Sequence, residues 1–299
     1  MIGRISAQST TAQFQRLNAA AEAKVNKFNQ QISSGLLFEN PSESPADTSL
    51  LLGNSRRLAR IQQYSRNATS ANQWLASTDQ ALQSANDSMT RARTLVVQGL
   101  NTGAGTDAAA AAAAEIRQIR DQLIGTANTT QGGRAIFSGT ASAPAYDAAG
   151  TYLGDDGAVT RAIDTYEILQ VNATGPNVFG TSNPTDPMNG SIFEQLGAIA
   201  DALESGDTAT ASQGLDAIDS SMQLVRTELG KIGASVNRLD SAQIRLDDEQ
   251  VATRNRISQT QDADLAEAVM GLRAAETGYE ALMSTTARTM SRSLLDFMR

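Results

Sequence analysis

The chain has 299 residues, which is enough for a sizeable core and two or three domains, and only 4% of them are aromatic, which favours long helical packing over a compact enzyme core. Its formal net charge of -8 argues against a nucleic-acid partner, and no apolar run is long enough to cross a bilayer. Cysteine and histidine are absent, which removes the usual ligands of zinc, haem and iron-sulfur sites and the nucleophilic systems that depend on these residues.

The N-terminal segment is predicted to form a helix with one apolar face. Its apolar residues follow three-four steps, a spacing that places side chains on one side of an α-helix. Gly35 ends the segment, and no proline precedes it. The residues on this face are Phe14, Leu17, Ala21, Val25, Phe28 and Ile32.

A link that contains two prolines follows the first helix. Pro41 and Pro45, with Ser42 after the first of them, interrupt the helical pattern because proline cannot donate a backbone hydrogen bond and restricts the residue before it. We expect an extended link that serves as a hinge. Asp47 or Thr48 is then placed to cap a second helix.

Two helices are predicted between this link and residue 138. The second helix carries apolar residues at helical spacing between residues 51 and 100. An alanine run at 108–114 opens the third helix, because alanine has the highest helix propensity. Gly132 and Gly133 end it.

Residues 138–190 differ in composition from the helical segments. They include four of the six prolines and six acidic residues against the single basic residue Arg161, which suits a solvated outer module. Strand-like residues flank an Asp-Gly pair at Asp156-Gly157, so a small β-rich insert is predicted. Asp155 and Asp156 could bind calcium, but an acidic hairpin tip is the simpler interpretation because the spaced ligands of a calcium loop are absent.

Helix resumes after the insert and continues towards the C-terminus. Apolar residues keep heptad spacing between Val225 and Leu246, apart from Gln243. Asp262 and Asp264 provide a cap for a final helix. The final helix has an apolar seam with a period of 3.5 residues. The residues of this seam and its end are Leu265, Val269, Leu272, Tyr279, Met283, Met290, Leu294, Leu295 and Phe297.

These elements predict a mainly α fold, a long nested helical hairpin or coiled-coil bundle built from both termini with a small β-rich insert at its tip. We expect a terminal coiled-coil assembly domain from 1–45 and 255–299, a helical rod domain from 46–137 and 191–254, and an outer insert at 138–190. The terminal seams are predicted to pack loosely alone and to become ordered on assembly with neighbours. No catalytic, cofactor or metal site is predicted.

Several motifs resemble the flagellin superfamily, and the likeness covers nearly the whole chain. Ser33-Ser34-Gly35 resembles the Ser-Ser-Gly turn of the superfamily, and the Pro41 to Pro45 segment resembles its Pro-Ser-Asp-Asp-Pro link, with Glu43 and Ser44 in place of the two aspartates. Arg66-Asn67 resembles part of the second helix of the superfamily, and Ala127-Asn128-Thr129-Thr130 resembles the exit from its third helix.

The C-terminal motifs are similar to those of the hook-filament junction proteins within this superfamily. These motifs are Asp262-Ala263-Asp264 and the closing Ser293-Leu294-Leu295-Asp296-Phe297. Filament flagellins usually close on a Leu-Leu-Arg type of ending instead.

The resemblance implies a structural, non-enzymatic subunit of the bacterial flagellum. It implies self-association in a ring-like layer, with the other hook-associated protein below and flagellin above, and a cytosolic export chaperone. Composition alone predicts a cytosolic protein, but the resemblance implies export by the flagellar type III apparatus without a cleaved signal peptide, and therefore an extracellular location.

Three other interpretations remain open from the sequence. A filament flagellin would share the helices. A cytoplasmic coiled-coil scaffold protein would be explained by the heptad spacing alone. A glycosidase that uses a carboxylate pair in the insert would be the enzymatic alternative.

Overall fold

The computed structural model describes residues 2–102 and 106–297, and within them the side chains of residues 12–101 and 106–288. The protein is 74% helical with few strands, which confirms the mainly α fold. The helices are α1 (Ile2–Ser34), α2 (Pro45–Thr102), α3 (Asp107–Ala127), α4 (Gly175–Phe179), α5 (Ile192–Ser205), α6 (Thr208–Gln261) and α7 (Leu265–Phe297), with a short 3-10 helix at Pro187–Asn189. The strands are β1 (Thr130–Gln131), β2 (Arg134–Ala135), β3 (Thr160–Ala162) and β4 (Ile168–Gln170), and they pair as two antiparallel hairpins.

The chain divides into two compact units. The terminal unit comprises Met1–Arg60 and Glu249–Arg299, and the central unit comprises Ile61–Asp248. Helices α2 and α6 each contribute residues to both units. No helix within residues 2–102 and 106–297 combines the length and apolarity that a bilayer span requires.

Short polar side chains fix the starts of several helices. At α5, the Ser191 hydroxyl accepts a hydrogen bond from the Glu194 amide, and the Glu194 carboxylate accepts one from the Ser191 amide at 2.9 Å. The Asp207 carboxylate accepts hydrogen bonds from the amides of Ala209 and Thr210, both at 3.1 Å, at the start of α6. These side chains satisfy amides that have no partner inside the helix.

The core of the central unit is built around an aromatic cluster. Phe137, Tyr146, Phe179 and Phe193 are buried, with ring centroids 4.8 Å apart for Tyr146 and Phe193 and 5.3 Å apart for Phe137 and Phe179. Tyr146 and Phe179 come from the 138–190 segment, whereas Phe193 belongs to α5. Four of the 13 aromatic residues of the chain thus meet where this segment packs on the helices.

Within residues 138–190, all of which are described, regular strand is limited to β3 and β4 of three residues each. The turn of this hairpin is not at Asp156-Gly157, as the sequence predicted, but between Ile163 and Glu167, where the Ile163 amide donates to the Glu167 carbonyl at 3.0 Å. The Asp155 carboxylate instead accepts hydrogen bonds from Thr140 and from the Gly157 amide, so it closes a loop rather than a hairpin.

Candidate assembly interface

Helices α1 and α7 pack against each other within the terminal unit. Both have 33 residues, and the C-terminal end of α1 lies beside the N-terminal end of α7, so the two helices run antiparallel. The Ala263 amide donates to the Gly35 carbonyl at 2.9 Å, and the Leu37 amide donates to the Gln261 carbonyl at 2.6 Å. Gly35 has a φ of 72°, a conformation that a residue with a Cβ atom rarely adopts.

The predicted cap of the final helix is present. The Asp264 carboxylate accepts hydrogen bonds from the amides of Ala266 at 2.9 Å and Glu267 at 3.2 Å. A carboxylate at this position also interacts favourably with the positive end of the helix dipole. The start of α7 is therefore fixed next to the end of α1.

Small residues form part of the α7 face that α1 covers. Ala268 is buried, and Phe28 of α1 lies directly against Gly271, where a Cβ atom would stand 2.5 Å from the Phe28 ring. On α1, Gln31 is also buried, and its side-chain amide donates to the Leu37 carbonyl at 2.9 Å. The close approach of the two helices depends on the missing side chain at Gly271.

The seam predicted from the sequence lies partly at this contact and partly beside it. Leu272 and Tyr279 are half-buried, whereas Leu265, Val269 and Met283 are exposed. These three exposed side chains lie roughly a quarter turn around α7 from the covered face that contains Ala268. On α1, Phe14, Phe28 and Ile32 are half-buried and Leu17 is exposed. The side chains of Met290, Leu294, Leu295 and Phe297 lie outside the described residues.

The terminal unit has almost no core of its own. Among the buried apolar side chains of the described residues, only Phe38 and Ala268 belong to this unit. Within the part of the chain whose side chains are described, 15 large apolar side chains are exposed, and nine of them belong to this unit. Each of these is worth about 1.5 to 3 kcal/mol when it becomes buried, so the unit retains a substantial apolar surface for a partner.

Some exposed apolar residues of the terminal unit were not predicted as interface residues. Met270 is 66% exposed, and it lies next to Val269 but off the heptad spacing. The other such residues are Leu37, Leu50, Leu52 and Val251. In the sequence, these exposed residues could have been found only as apolar residues that lie outside the periodic pattern.

The link between α1 and α2 is a turn and not the extended segment that its prolines suggested. The Glu43 amide donates to the Asn40 carbonyl at 3.0 Å, so Pro41 and Ser42 occupy the middle of a turn. Pro45 begins α2, a position at which a missing amide hydrogen costs nothing. Proline fits both places, because its fixed φ suits a turn as well as a helix start.

Ionic contacts and buried polar groups add little to the terminal unit. Arg57 and Glu249 form an ion pair at 2.6 Å, but both side chains are exposed enough to limit its value to about 0 to 1 kcal/mol. Asn18 Oδ1 and Thr253 Oγ1 are buried and have no hydrogen-bond partner among the described residues. Among all the residues that the structure describes, no cluster of three or more acidic side chains could hold a metal ion.

Two family models match the helical ends of the chain. The bacterial flagellin N-terminal helical region matches residues 5–142, and the bacterial flagellin C-terminal helical region matches residues 215–298. Together these ranges contain α1 from residue 5 onward, the whole of α7 and the interface residues described above.

The chain is also similar to individual proteins. It is 30% identical over 261 residues to the flagellar hook-associated protein 3 of Salmonella typhimurium, which covers 80% of this chain and 82% of that protein. It is 28% identical over 302 residues to the protein of the same name from Escherichia coli, which covers 93% and 95% of the two chains. The crystal structure of Bacillus cereus FlgL has the same fold, with a TM-score of 0.60 and 24% identity over 69% of this chain and 99% of that one. The chain therefore belongs to the flagellin superfamily, in its branch of hook-filament junction proteins, the flagellar hook-associated protein 3 family.

Proposed function

We propose that this chain is a structural adaptor at the junction between the flagellar hook and the filament, and that it performs no catalysis. The observation that carries the proposal is the apolar surface that α1 and α7 leave uncovered in the terminal unit. A subunit that folds alone would bury such a surface, whereas a subunit of a larger assembly leaves it for its neighbours.

Neighbouring copies of this chain are the first partners of that surface. Leu265, Val269 and Met283 continue the apolar face of the α1/α7 pair beyond the region that α1 covers, so a further helix can pack beside the pair. Repeating this contact around an axis gives a ring-like layer. The other hook-associated protein would bind below this layer, and the first flagellin subunits would bind above it.

The proposed location is the flagellum outside the cell. Export through the flagellar type III apparatus would not require a cleaved signal peptide. An export chaperone that covers the apolar face of α7 before export would prevent premature association, because exposed apolar surfaces associate in the cytosol.

Charged substitutions on the uncovered face test the assembly role. Val269→Asp and Met283→Asp place a carboxylate where burial against a neighbour is proposed, at a cost of several kcal/mol per buried charge. Both side chains are exposed, so the free chain is expected to fold normally by circular dichroism. Neither variant should be recovered in sheared flagella, and cells should release unattached flagellin into the medium.

Leu224→Asp is the matched control. Leu224 is exposed to a similar degree, at 41% against 46% for Met283, but it belongs to the central unit. This variant should be incorporated normally. Normal incorporation of Val269→Asp and Met283→Asp would show that the uncovered face of α7 has no role in assembly.

A filament flagellin is the second candidate, because both family models describe flagellin helices. Immunogold labelling with an antibody against this chain distinguishes the two. The junction role predicts label at the base of each filament next to the hook. Label along the whole filament would instead identify a filament subunit.

A further inference from the structure

The β3-β4 hairpin presents an aromatic side chain to solvent on the central unit. Tyr166 in its turn is 98% exposed, and Ile168 at the start of β4 is 65% exposed. A tyrosine exposed to this extent gains nothing for the fold of its own chain. Tyrosine is also one of the residues that contribute most to binding when they lie at the centre of an interface.

The hairpin is anchored to α2 and α6 by polar contacts, although its turn is exposed to solvent. The Asn67 side-chain amide of α2 donates to the Ala162 carbonyl at 2.8 Å. The Glu167 carboxylate pairs with Arg238 at 3.1 Å and with Arg245 at 3.0 Å, both on α6. Tyr166 is therefore presented in a fixed position, which lowers the entropy that binding must overcome.

A groove lies between α2 and α6 on another face of the same helices. Its volume is about 330 Å³, and Ala68 and Leu239 form an apolar floor. Asn72, Asp240 and Gln243 contribute polar groups to its lining. An apolar floor with a few hydrogen-bonding groups is suited to a tyrosine, whose ring is apolar and whose hydroxyl needs a partner.

The hairpin and the groove lie on opposite sides of the α2/α6 pair. At about 100° per residue, Asp240 and Gln243 are about 200° and 140° around α6 from Arg238, which binds the hairpin. By the same measure, Asn72 is about 140° around α2 from Asn67. The two features are also level along the helices, since hairpin contacts and groove residues lie within a few positions of each other.

We propose that Tyr166 of one copy of this chain inserts into the α2/α6 groove of the next copy. The ring would cover Ala68 and Leu239, and the hydroxyl would donate a hydrogen bond to the Asp240 carboxylate. Because the tip and the groove are different surfaces on opposite sides, the contact is heterologous and propagates from copy to copy as a ring or helical layer requires. The inference rests on the self-association in the proposed function, but it assigns a second contact, in the central unit.

Disulfide trapping in assembled flagella tests this contact. The chain has no cysteine, so each introduced thiol is unique in it. Thr165→Cys combined with Thr69→Cys leaves Tyr166 in place and puts one thiol beside it in the hairpin turn and the other at the groove lining. After oxidation of sheared flagella, a non-reducing gel probed with an antibody against this chain should show dimers, trimers and higher multimers.

Thr165→Cys combined with Thr94→Cys is the matched control. Thr94 and Thr69 are both exposed threonines of α2, and each hydroxyl donates to the carbonyl four residues before it at 3.0 Å. They point in nearly the same direction but are separated by about 37 Å along the helix. The Thr69 pair should give on the order of tenfold more multimers than the Thr94 pair, because only its thiols are held at high effective concentration.

Each other outcome has a defined meaning. Equal ladders from the two pairs, or no ladder from either, would overturn the contact. Dimers from Thr165→Cys alone would indicate a symmetric contact between hairpins and would also overturn it. Absence of the doubly substituted chain from sheared flagella, when the unsubstituted chain is also absent, contradicts the proposed function instead. A chain that is recovered without a ladder contradicts only this inference.

Discussion

At Gly271 the ring of Phe28 occupies the space where any other residue would have its Cβ atom. The same helix contains Gly278, where a Cβ atom would meet nothing within 4 Å. Glycine weakens a helix at both positions by about 1 kcal/mol relative to alanine, but only at Gly271 does it permit a close helix-helix contact. A comparison of the two positions therefore distinguishes the effect of helix propensity from the effect of packing within one helix.

Alanine at these two positions should change stability in opposite directions. Gly278→Ala should stabilise the terminal unit by about 0.5 to 1 kcal/mol through helix propensity. Gly271→Ala should destabilise it by about 1 to 3 kcal/mol, because Phe28 must move out of its contact. Thermal unfolding followed by helical circular dichroism measures both effects. Equal stabilisation by both substitutions would show that Phe28 does not depend on Gly271.

Asp155 is a second residue whose contacts determine a testable property. The Thr140 hydroxyl donates to one of its carboxylate oxygens at 2.7 Å, and the amides of Thr140 and Gly157 donate to the other at 2.6 and 3.0 Å. The Thr140 side chain first, and then these backbone amides, lower the pKa of the Asp155 carboxyl below its ordinary value. The carboxylate that the sequence analysis considered as a calcium ligand is thus engaged by hydrogen bonds within the chain.

The lowered pKa of Asp155 makes its contribution to stability dependent on pH. With a folded-state pKa below the unfolded one, the contribution is present above about pH 4 and is lost as the pH falls through the folded-state pKa. Asp155→Asn should therefore destabilise the protein near neutral pH, and its difference from the unsubstituted chain should shrink below pH 4. Urea unfolding at several pH values measures this difference. A difference that stays constant down to about pH 2 would contradict the assigned cause.

At the scale of elements, the sequence located the helices better than it located their contacts. Heptad spacing marked α7 correctly, but it selected large apolar residues, and the covered face also uses Ala268 and Gly271. Glycine and alanine stand out little in an apolar pattern, so the pattern does not show which side of a helix packs most closely on its partner. That side depends on the shape of the partner. The hairpin turn was also predicted at the wrong place. Asp156-Gly157 has the residue types of a tight turn, but a contact distant in sequence, between Asp155 and Thr140, holds this segment in a loop.

The anchoring of the β3-β4 hairpin gives a prediction at this scale. Glu167→Ala removes both ion pairs with α6, and amides of the hairpin should then exchange their hydrogens faster. The global free energy of unfolding should fall by only about 1 kcal/mol or less, since the pairs are partly exposed. Glu249→Ala breaks the pair with Arg57 and is the control that should leave hairpin exchange unchanged. Unaltered exchange in Glu167→Ala would mean that the hairpin is held by its apolar contacts alone.

At the scale of the whole molecule, burial differs sharply between the two units. The central unit contains nearly all the buried apolar side chains of the described residues, whereas the terminal unit has Phe38 and Ala268. Since burial of apolar surface is the main source of folding free energy, the central unit is expected to fold independently of assembly. The helices of the terminal unit depend on one another and on whatever covers their apolar face.

Limited proteolysis of the free chain and of the assembled flagellum should reveal this difference. In the free chain, trypsin has sites in α1 at Arg16, Lys24 and Lys27 and in α7 at Arg273 and Arg288. These sites should be cut first, because local opening of the terminal unit costs little free energy, and a resistant fragment close to residues 61–248 should accumulate. In sheared flagella the same sites should be protected, because neighbouring subunits cover the helices and raise the cost of opening. Mass spectrometry of the fragments identifies the cleavage sites, and equal cleavage of α1 and α7 in the two states would contradict an interface completed by neighbours.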